Sequence, residues 1–248
     1  MSKLVLITGG SRGIGAATAL LAARQGYAVA LNYASNSLAA DEVVRQIRQS
    51  GGQAMAVQAD VSVEGQVLAM FEKIDAKFGR LSALVNNAGV VDMTTRVDAI
   101  TLPRLQRMFE INVFGSFLCA REAIKRMSTR HGGAGGAIVN VSSAAARLGS
   151  PGQYVDYAAA KGAIDTFTIG LAKEVAAEGI RVNAVRPGLI ETGIHASGGL
   201  PHRAHELAPQ VPMQRPGSAR EVAESIVWLL SENSSYTTGA LLDVAGGR

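Results

Sequence analysis

Short apolar segments alternate with longer amphipathic segments along almost the whole of this chain. The short segments are rich in valine, isoleucine and leucine, as is typical of parallel strands buried on both faces. They span residues 4–7, 28–31, 54–57, 83–85, 137–141, 180–185 and 240–244. The segments between them predict helices over residues 14–25, 38–50, 63–78, 102–127, 157–177 and 219–230.

This alternation predicts a doubly wound α/β fold, because parallel strands need a crossover helix between them. We expect a Rossmann-like parallel sheet of about seven strands in the order 3-2-1-4-5-6-7, with helices on both faces. Ligands of such sheets bind beyond the carboxyl ends of the strands. Residues 188–217 break the alternation and are rich in Gly, Pro and His. We interpret them as a substrate lid within one domain that spans residues 1–248.

The composition excludes several classes of protein. The chain has 248 residues, and its 24 Lys and Arg are scattered and nearly balanced by 20 Asp and Glu, which predicts no nucleic-acid partner. No apolar run is long enough to cross a membrane, and the first strand candidate leaves no room for a leader sequence. Cys119 is the single cysteine, so an internal disulfide is impossible. These features predict a cytoplasmic protein with a small-molecule substrate and no membrane association.

A glycine-rich loop, Thr8-Gly-Gly-Ser-Arg-Gly-Ile-Gly15, follows the first strand and begins the first helix. Its glycines permit a tight turn that points N–H groups at a pyrophosphate. Such loops also have purely structural roles, but this position predicts nucleotide binding. No carboxylate follows the second strand before Asp41, whereas Arg12 lies in the loop and can meet a ribose 2′-phosphate. NADP(H) is therefore favoured; the alternative is a solvated Arg12 and weak selectivity.

Tyr157 and Lys161 are four residues apart and therefore share one helix face. A neighbouring ammonium favours the phenolate, so we expect Lys161 to lower the pKa of Tyr157 and make it an acid and base. Ser143, which follows the fifth strand, can hold a substrate oxygen against the phenol. Any helix can present Tyr-x-x-x-Lys by chance, so other motifs must supply the specificity.

Several motifs that follow one another in order make the sequence pattern specific. Through them the sequence resembles the short-chain dehydrogenase/reductase family over essentially its whole length. They are the glycine loop, Asp60-Val61, Asn86-Asn-Ala-Gly89, Asn112, Ser143, Tyr157-x-x-x-Lys161 and Pro187-Gly188. Within the family the chain looks most like bacterial NADP-dependent oxidoreductases that are uncharacterised or glucose 1-dehydrogenase-like. It also resembles 3-oxoacyl-carrier-protein reductases.

The resemblance implies a role for each matching position. The implied catalytic residues are Asn112, Ser143, Tyr157 and Lys161, with Asn112 holding a water in a proton relay to Lys161. Asn86 braces the sheet, Asp60 and Val61 contact the adenine, and Thr192 binds the carboxamide. The cofactor-binding set comprises Gly9, Ser11, Arg12, Gly13, Ile14, Gly15, Tyr33, Ala34, Asp60, Val61, Asn87, Ala88, Gly89, Tyr157, Lys161, Pro187, Gly188, Ile190 and Thr192. The family also implies a homotetramer, built through helices 102–127 and 157–177 and the last strand.

The substrate side is the least determined. The predicted substrate contacts are Ala145, Tyr154 and His195. The spacing from Ser143 to Tyr157 is one residue longer than the commonest family form, which weakens any transfer of substrate specificity. His195, His202 and His205 lie in one segment, but no carboxylate or cysteine completes a metal site, so we predict none.

The expected reaction is reversible hydride transfer between NADP(H) and a carbonyl or secondary alcohol, with Tyr157 as acid and base. Two substrate classes stay open: a sugar or other small polar carbonyl, as for a glucose 1-dehydrogenase, or a 3-oxoacyl thioester. A non-catalytic NADP-sensing or scaffold protein on the same fold is the alternative outside enzymes. The complete set Asn112, Ser143, Tyr157 and Lys161 argues against it.

Overall fold

A seven-stranded parallel sheet forms the centre of the protein. The computed structural model describes residues 3–200 and 202–248, without the side chains of residues 195 and 196. The strands of this sheet are β1 Leu4–Ile7, β2 Ala28–Tyr33, β3 Ala54–Gln58, β4 Ala83–Asn86, β5 Gly136–Val141, β6 Ile180–Pro187 and β9 Leu241–Val244. Their spatial order is β3-β2-β1-β4-β5-β6-β9. The predicted fold class and strand order are confirmed.

The last strand of the central sheet is numbered β9 and not β7, because two further short strands precede it in the chain. β7 Ile190–Glu191 pairs in parallel with β8 Gly217–Ser218 and forms a separate two-stranded sheet. These strands enclose most of the segment that breaks the alternation. The sequence does not predict them, since two-residue strands leave no periodic pattern.

Helices cover both faces of the central sheet. Their bounds are α1 Gly13–Arg24, α2 Ser37–Gln49, α3 Glu64–Phe78, α4 Leu102–Phe109, α5 Gly115–Met127, α6 Ala145–Leu148, α7 Val155–Val175, α8 Ile194–Ser197, α9 Arg203–Glu206 and α10 Ala219–Leu230. Side chains of α1, α2 and α10 pack on one face, and those of α3, α5 and α7 pack on the other. Inner strands such as β1 and β4 therefore bury both of their faces, which explains their largely apolar sequences, whereas the edge strands β3 and β9 are partly exposed. Among the described residues, no helix is long and apolar enough to cross a membrane.

The predicted helix over residues 102–127 is wrong in one respect, because a π-helical turn, Glu110–Phe114, divides it into α4 and α5. The buried Asn112 lies in this turn and donates to the carbonyl of Met108 at 2.9 Å. It also donates to the carbonyl of Val90 at 3.0 Å and accepts from the amide of Val90 at 3.2 Å. The Asn112 side chain thus bonds the preceding turn and competes with the regular backbone hydrogen bonds of an α-helix. Such competition is common where an α-helix widens into a π-helical turn.

Candidate active site

A cavity of about 410 Å³ lies beyond the carboxyl ends of β4, β5 and β6. It is the place where doubly wound sheets bind ligands. Many residues predicted from separate motifs line this one cavity. They are Ile14, Asn87, Gly89, Ser143, Ala145, Tyr154, Tyr157, Lys161, Pro187, Gly188, Ile190 and Thr192. The tertiary structure thus brings catalytic, cofactor and substrate candidates together.

The other predicted residues lie outside the lining of this cavity. They are Gly9, Ser11, Arg12, Gly13, Gly15, Tyr33, Ala34, Asp60, Val61, Ala88 and Asn112. All except Asn112 follow or end strands β1 to β4, along the same edge of the sheet. The side chain of His195 is outside the described part of the structure, so its role stays a prediction.

The glycine loop is held by side chains from neighbouring strands. The side chain of Asn87 donates to the carbonyls of Thr8 and Gly9 at 2.9 and 3.0 Å, and the buried Asn32 accepts from the amide of Gly9 at 3.3 Å. The Thr8 hydroxyl accepts from the amides of Asn87 and Ala88, both at 3.0 Å. Asn32 was missed by sequence reasoning; the only signal was a polar residue within the apolar strand β2.

The N-terminus of α1 is open to an anion. Arg12 is the N-cap residue, and its side chain accepts no hydrogen bond from the first turn of the helix. A Cβ at Gly15 would lie 2.3 Å from the carbonyl oxygen of Gly9, so only glycine permits this close turn. Uncapped helix N–H groups beside a tight glycine turn fit a phosphate group. The loop is therefore suited to a nucleotide pyrophosphate.

Tyr157 and Lys161 both lie on α7, as predicted, one turn apart. The Nζ of Lys161 lies 5.6 Å from the centroid of the Tyr157 ring and donates to the Val141 carbonyl at 2.8 Å. Ser143 follows β5 and lines the cavity together with Tyr157, where its hydroxyl acts on the phenol. A hydroxyl pair of this kind can hold one carbonyl oxygen of a bound molecule.

The surroundings shift both titratable groups of this pair. Burial raises the pKa of Tyr157 to about 12, although the hydrogen bond from Ser143 acts to lower it. Burial lowers the pKa of Lys161 to about 8, against the opposing charge of Asp165. The prediction that Lys161 lowers the tyrosine pKa is therefore wrong for this structure, because desolvation dominates the shift and Lys161 is not among the groups that change it. The raised value keeps the phenol protonated at neutral pH.

The buried charge of Lys161 makes stability depend on pH. Because its pKa is about 8 in the folded state and 10.5 for a freely solvated lysine, only the unfolded chain holds this proton between those values. We expect the free energy of unfolding of the wild type to rise relative to Lys161→Met by about 1.4 kcal/mol per pH unit from pH 8 to 10. Below pH 8 both states are protonated and the difference is constant.

Denaturant unfolding of both proteins across this pH range measures the effect. Lys173→Met is the matched control, since Lys173 lies exposed on the same helix. A pH-independent difference between wild type and Lys161→Met would contradict the depressed pKa.

Asn112 and Gly89 are close to Lys161. A Cβ at Gly89 would lie 2.8 Å from Oδ1 of Asn112 and 3.5 Å from Nζ of Lys161. The side chain of Asn112 is fully engaged with Val90 and Met108, so it holds the chain after β4 in place. Asn86 donates to Oδ1 of Asn140 at 2.9 Å and joins β4 to β5, in agreement with its predicted bracing role.

A buried ion pair supports the start of α7. Arg104 of α4 bonds both carboxylate oxygens of Asp156, at 2.7 and 3.2 Å, and the Asp156 side chain is 0% exposed. Arg104 also donates to the carbonyl of Met93 at 2.6 Å. Asp156 directly precedes Tyr157, so this pair fixes the helix turn that carries the phenol. Sequence reasoning missed it, because partners 52 residues apart leave no periodic signal.

Fold and site together define an α/β protein with a nucleotide-binding loop and a serine–tyrosine–lysine cluster at one sheet edge. A family model described as enoyl-(acyl carrier protein) reductase matches residues 9–248. An uncharacterised oxidoreductase, YgfF, of Escherichia coli K12 is 59% identical over 245 residues, covering 99% of each chain. The chain belongs to the short-chain dehydrogenase/reductase family and is an oxidoreductase of that family.

Two solved structures have the same fold. A double mutant of a short-chain dehydrogenase/reductase from Serratia marcescens is 31% identical and superimposes with a TM-score of 0.90, covering 99% of this chain and 97% of that one. A blue fluorescent protein from a metagenomic library, solved in complex with NADPH, is 33% identical with the same TM-score and the same coverage.

Proposed function

We propose that this protein is an NADP(H)-dependent oxidoreductase that interconverts a carbonyl and a secondary alcohol. The observation that carries the proposal is the convergence of Ser143, Tyr157 and Lys161 on one cavity, beside Ile14 and Thr192. Reduction of a panel of ketones, followed by NADPH absorbance, is the direct test. Tight NADPH binding without turnover on any of them would favour the sensor or scaffold alternative.

The chain's own residues support each part of this chemistry. The open N-terminus of α1 would hold the pyrophosphate, and Thr192 and Lys161 would hold the nicotinamide end. The bound cofactor supplies the hydride. Ser143 would fix the substrate oxygen, and Tyr157 would donate its proton to that oxygen as charge develops there. The phenol is protonated at neutral pH and so has a proton to donate in the direction of reduction, while its raised pKa makes it a weaker acid than a free tyrosine.

The loop residue Arg12 supports the choice of NADP(H). Arg12 is exposed, and among the described residues its guanidinium has neither a hydrogen bond nor an ion pair. Tyr33 and Ala34, at the end of β2, provide no carboxylate that would repel a 2′-phosphate. One solved neighbour was determined with NADPH bound. An unpaired guanidinium beside an uncharged strand end suits a phosphate ester.

Arg12→Ala should therefore reduce selectivity for NADPH. A charge-assisted hydrogen bond contributes about 1.5–3 kcal/mol, so we expect kcat/KM for NADPH to fall by roughly 10- to 100-fold and that for NADH to change little. Arg24→Ala, at an exposed position near the other end of α1, is the control. Equal losses with both cofactors would show that Arg12 does not read the 2′-phosphate.

The assembly and location also stay predictions. Large apolar side chains are exposed on the helices predicted to join subunits, and Phe117 stacks on Phe167 with ring centroids 3.8 Å apart. Phe114 and Phe117 are about half exposed, at 54% and 47%. Such a surface supports the proposed homotetramer. We also retain the proposals of a cytoplasmic location and of residues 188–217 as a substrate lid.

A further inference from the structure

The cavity has a strongly one-sided charge. Among the described residues that line it, the charged side chains are Lys161, Arg203 and Arg248, and no aspartate or glutamate is present. A lining of this composition attracts anions and repels cations. Lys161 is accounted for by the proposed chemistry, so the two arginines need a separate explanation.

Arg203 is the cation best placed to meet a substrate. It begins α9 and is half-buried, with its guanidinium carbon 5.2 Å from the centroid of the Tyr154 ring. One Nη donates to Oε1 of Gln153 at 2.6 Å. The Tyr154 and Tyr157 rings are 6.2 Å apart and meet edge to face. The Tyr154 ring is therefore a neighbour of both the Arg203 guanidinium and the Tyr157 ring, which places the cation one ring away from the phenol.

The hydrogen-bonding capacity of Arg203 is not used up within the protein. Its Nε is buried and has no hydrogen-bond partner, and no carboxylate of the described chain lies within ion-pairing distance. A buried donor without a partner is costly, and so is a cation shielded from water without a counter-charge. By contrast, Arg104, whose side chain is 11% exposed, is fully paired with Asp156. Arg203 is therefore preorganised by Tyr154 and Gln153 but lacks an acceptor.

We infer that Arg203 binds an anionic oxygen group, a carboxylate or a phosphate, on the substrate whose carbonyl is held by Ser143 and Tyr157. This inference rests on the proposed function and names its substrate class: small carbonyl compounds that carry an acidic group a few bonds from the reacting carbon. A planar guanidinium fits both groups through paired N–H donors. An anion site at Arg203 disfavours neutral sugars as the principal substrates of the protein.

Matched pairs of carbonyl compounds test the inference. We would compare 4-oxopentanoate with methyl 4-oxopentanoate, and dihydroxyacetone phosphate with dihydroxyacetone, at saturating NADPH. The acid should exceed its neutral partner in kcat/KM by about 10-fold or more in at least one pair. The pair that shows the preference distinguishes a carboxylate from a phosphate. Equal kcat/KM values within both pairs would overturn the inference and leave the proposed function intact.

Arg203→Gln locates the effect. Its KM for the preferred acid should rise by about 10- to 100-fold, kcat should change less, and the neutral partner should react as with the wild type. Arg203→Lys keeps the positive charge but loses the paired N–H donors of the guanidinium, so its KM for the preferred acid should lie between those of the wild type and Arg203→Gln. Arg220→Gln, at an exposed position on α10, should leave this KM unchanged. Weaker NADPH binding by Arg203→Gln, with unchanged selectivity for the acid, would instead assign Arg203 to the cofactor.

A binding measurement separates the two proposals if no compound is reduced. Calorimetric titration of 4-oxopentanoate and of dihydroxyacetone phosphate into the protein with NADPH bound should show binding that Arg203→Gln abolishes. Arg203-dependent binding without turnover would support the anion site and refute the proposed reaction. Absence of binding by both acids would refute the anion site.

Discussion

Tyr157→Phe should lower kcat for carbonyl reduction by about 10²- to 10⁴-fold, which is the usual contribution of a positioned general acid. The variant keeps the ring that packs beside Tyr154 but removes the only proton that we propose to reach the substrate oxygen. NADPH affinity should stay within a few-fold of the wild type, because the glycine loop and Thr192 are untouched. Steady-state kinetics and fluorescence titration with NADPH measure the two quantities.

The matched control is Tyr236→Phe, which removes a hydroxyl from a fully exposed tyrosine. It should have wild-type kinetics. A Tyr157→Phe protein with wild-type turnover would reject Tyr157 as the acid, whatever else the site contains. Loss of NADPH binding together with turnover would instead indicate that the phenol has a role in holding the cofactor.

Arg104→Ala should cause the largest loss of stability among the substitutions considered. Removing the guanidinium leaves Asp156 as a buried carboxylate with no cation, and breaking one side of a buried ion pair typically costs about 3–5 kcal/mol. The contact from α4 to the Met93 carbonyl is lost as well. Because Asp156 precedes Tyr157, turnover should also fall at temperatures where the protein is still folded. Chemical denaturation followed by circular dichroism measures the stability.

Two further variants give this prediction its controls. Arg96→Ala breaks the pair with Asp98, both of whose side chains are mostly exposed, and should cost less than about 1 kcal/mol. Adding Asp156→Ala to Arg104→Ala removes the stranded charge and should recover part of the loss. An Arg104→Ala protein as stable as Arg96→Ala would show that the pair is not a stabilising element of α7.

The seven-stranded sheet follows from local sequence because the signal is strong at each step. A parallel strand covered on both faces is mostly apolar, and Leu4–Ile7 shows this directly. The crossover rule then leaves few topologies. The motifs after the strands indicate the active site for the same reason, since parallel strands end at one edge.

Other features required the folded chain. The π-helical turn at Glu110–Phe114 depends on bonds from Asn112 to Val90, which is distant in sequence. The direction of the Tyr157 pKa shift was predicted wrongly, because spacing on a helix reports which charge is near but not the desolvation that dominates the shift. Local pattern carries no information about how much water reaches a side chain.

The sequence by itself determined the fold and the order of its strands, and it indicated the proposed reacting group Tyr157 with its neighbour Lys161, because all of these depend on periodicity and on short motifs. Only the tertiary structure decided what surrounds them. It paired Arg104 with Asp156 and left Arg203 facing the cavity without a counter-charge. The physical reason is that partners in an ion pair are chosen by three-dimensional proximity, so the charge balance of the cavity appears only after folding.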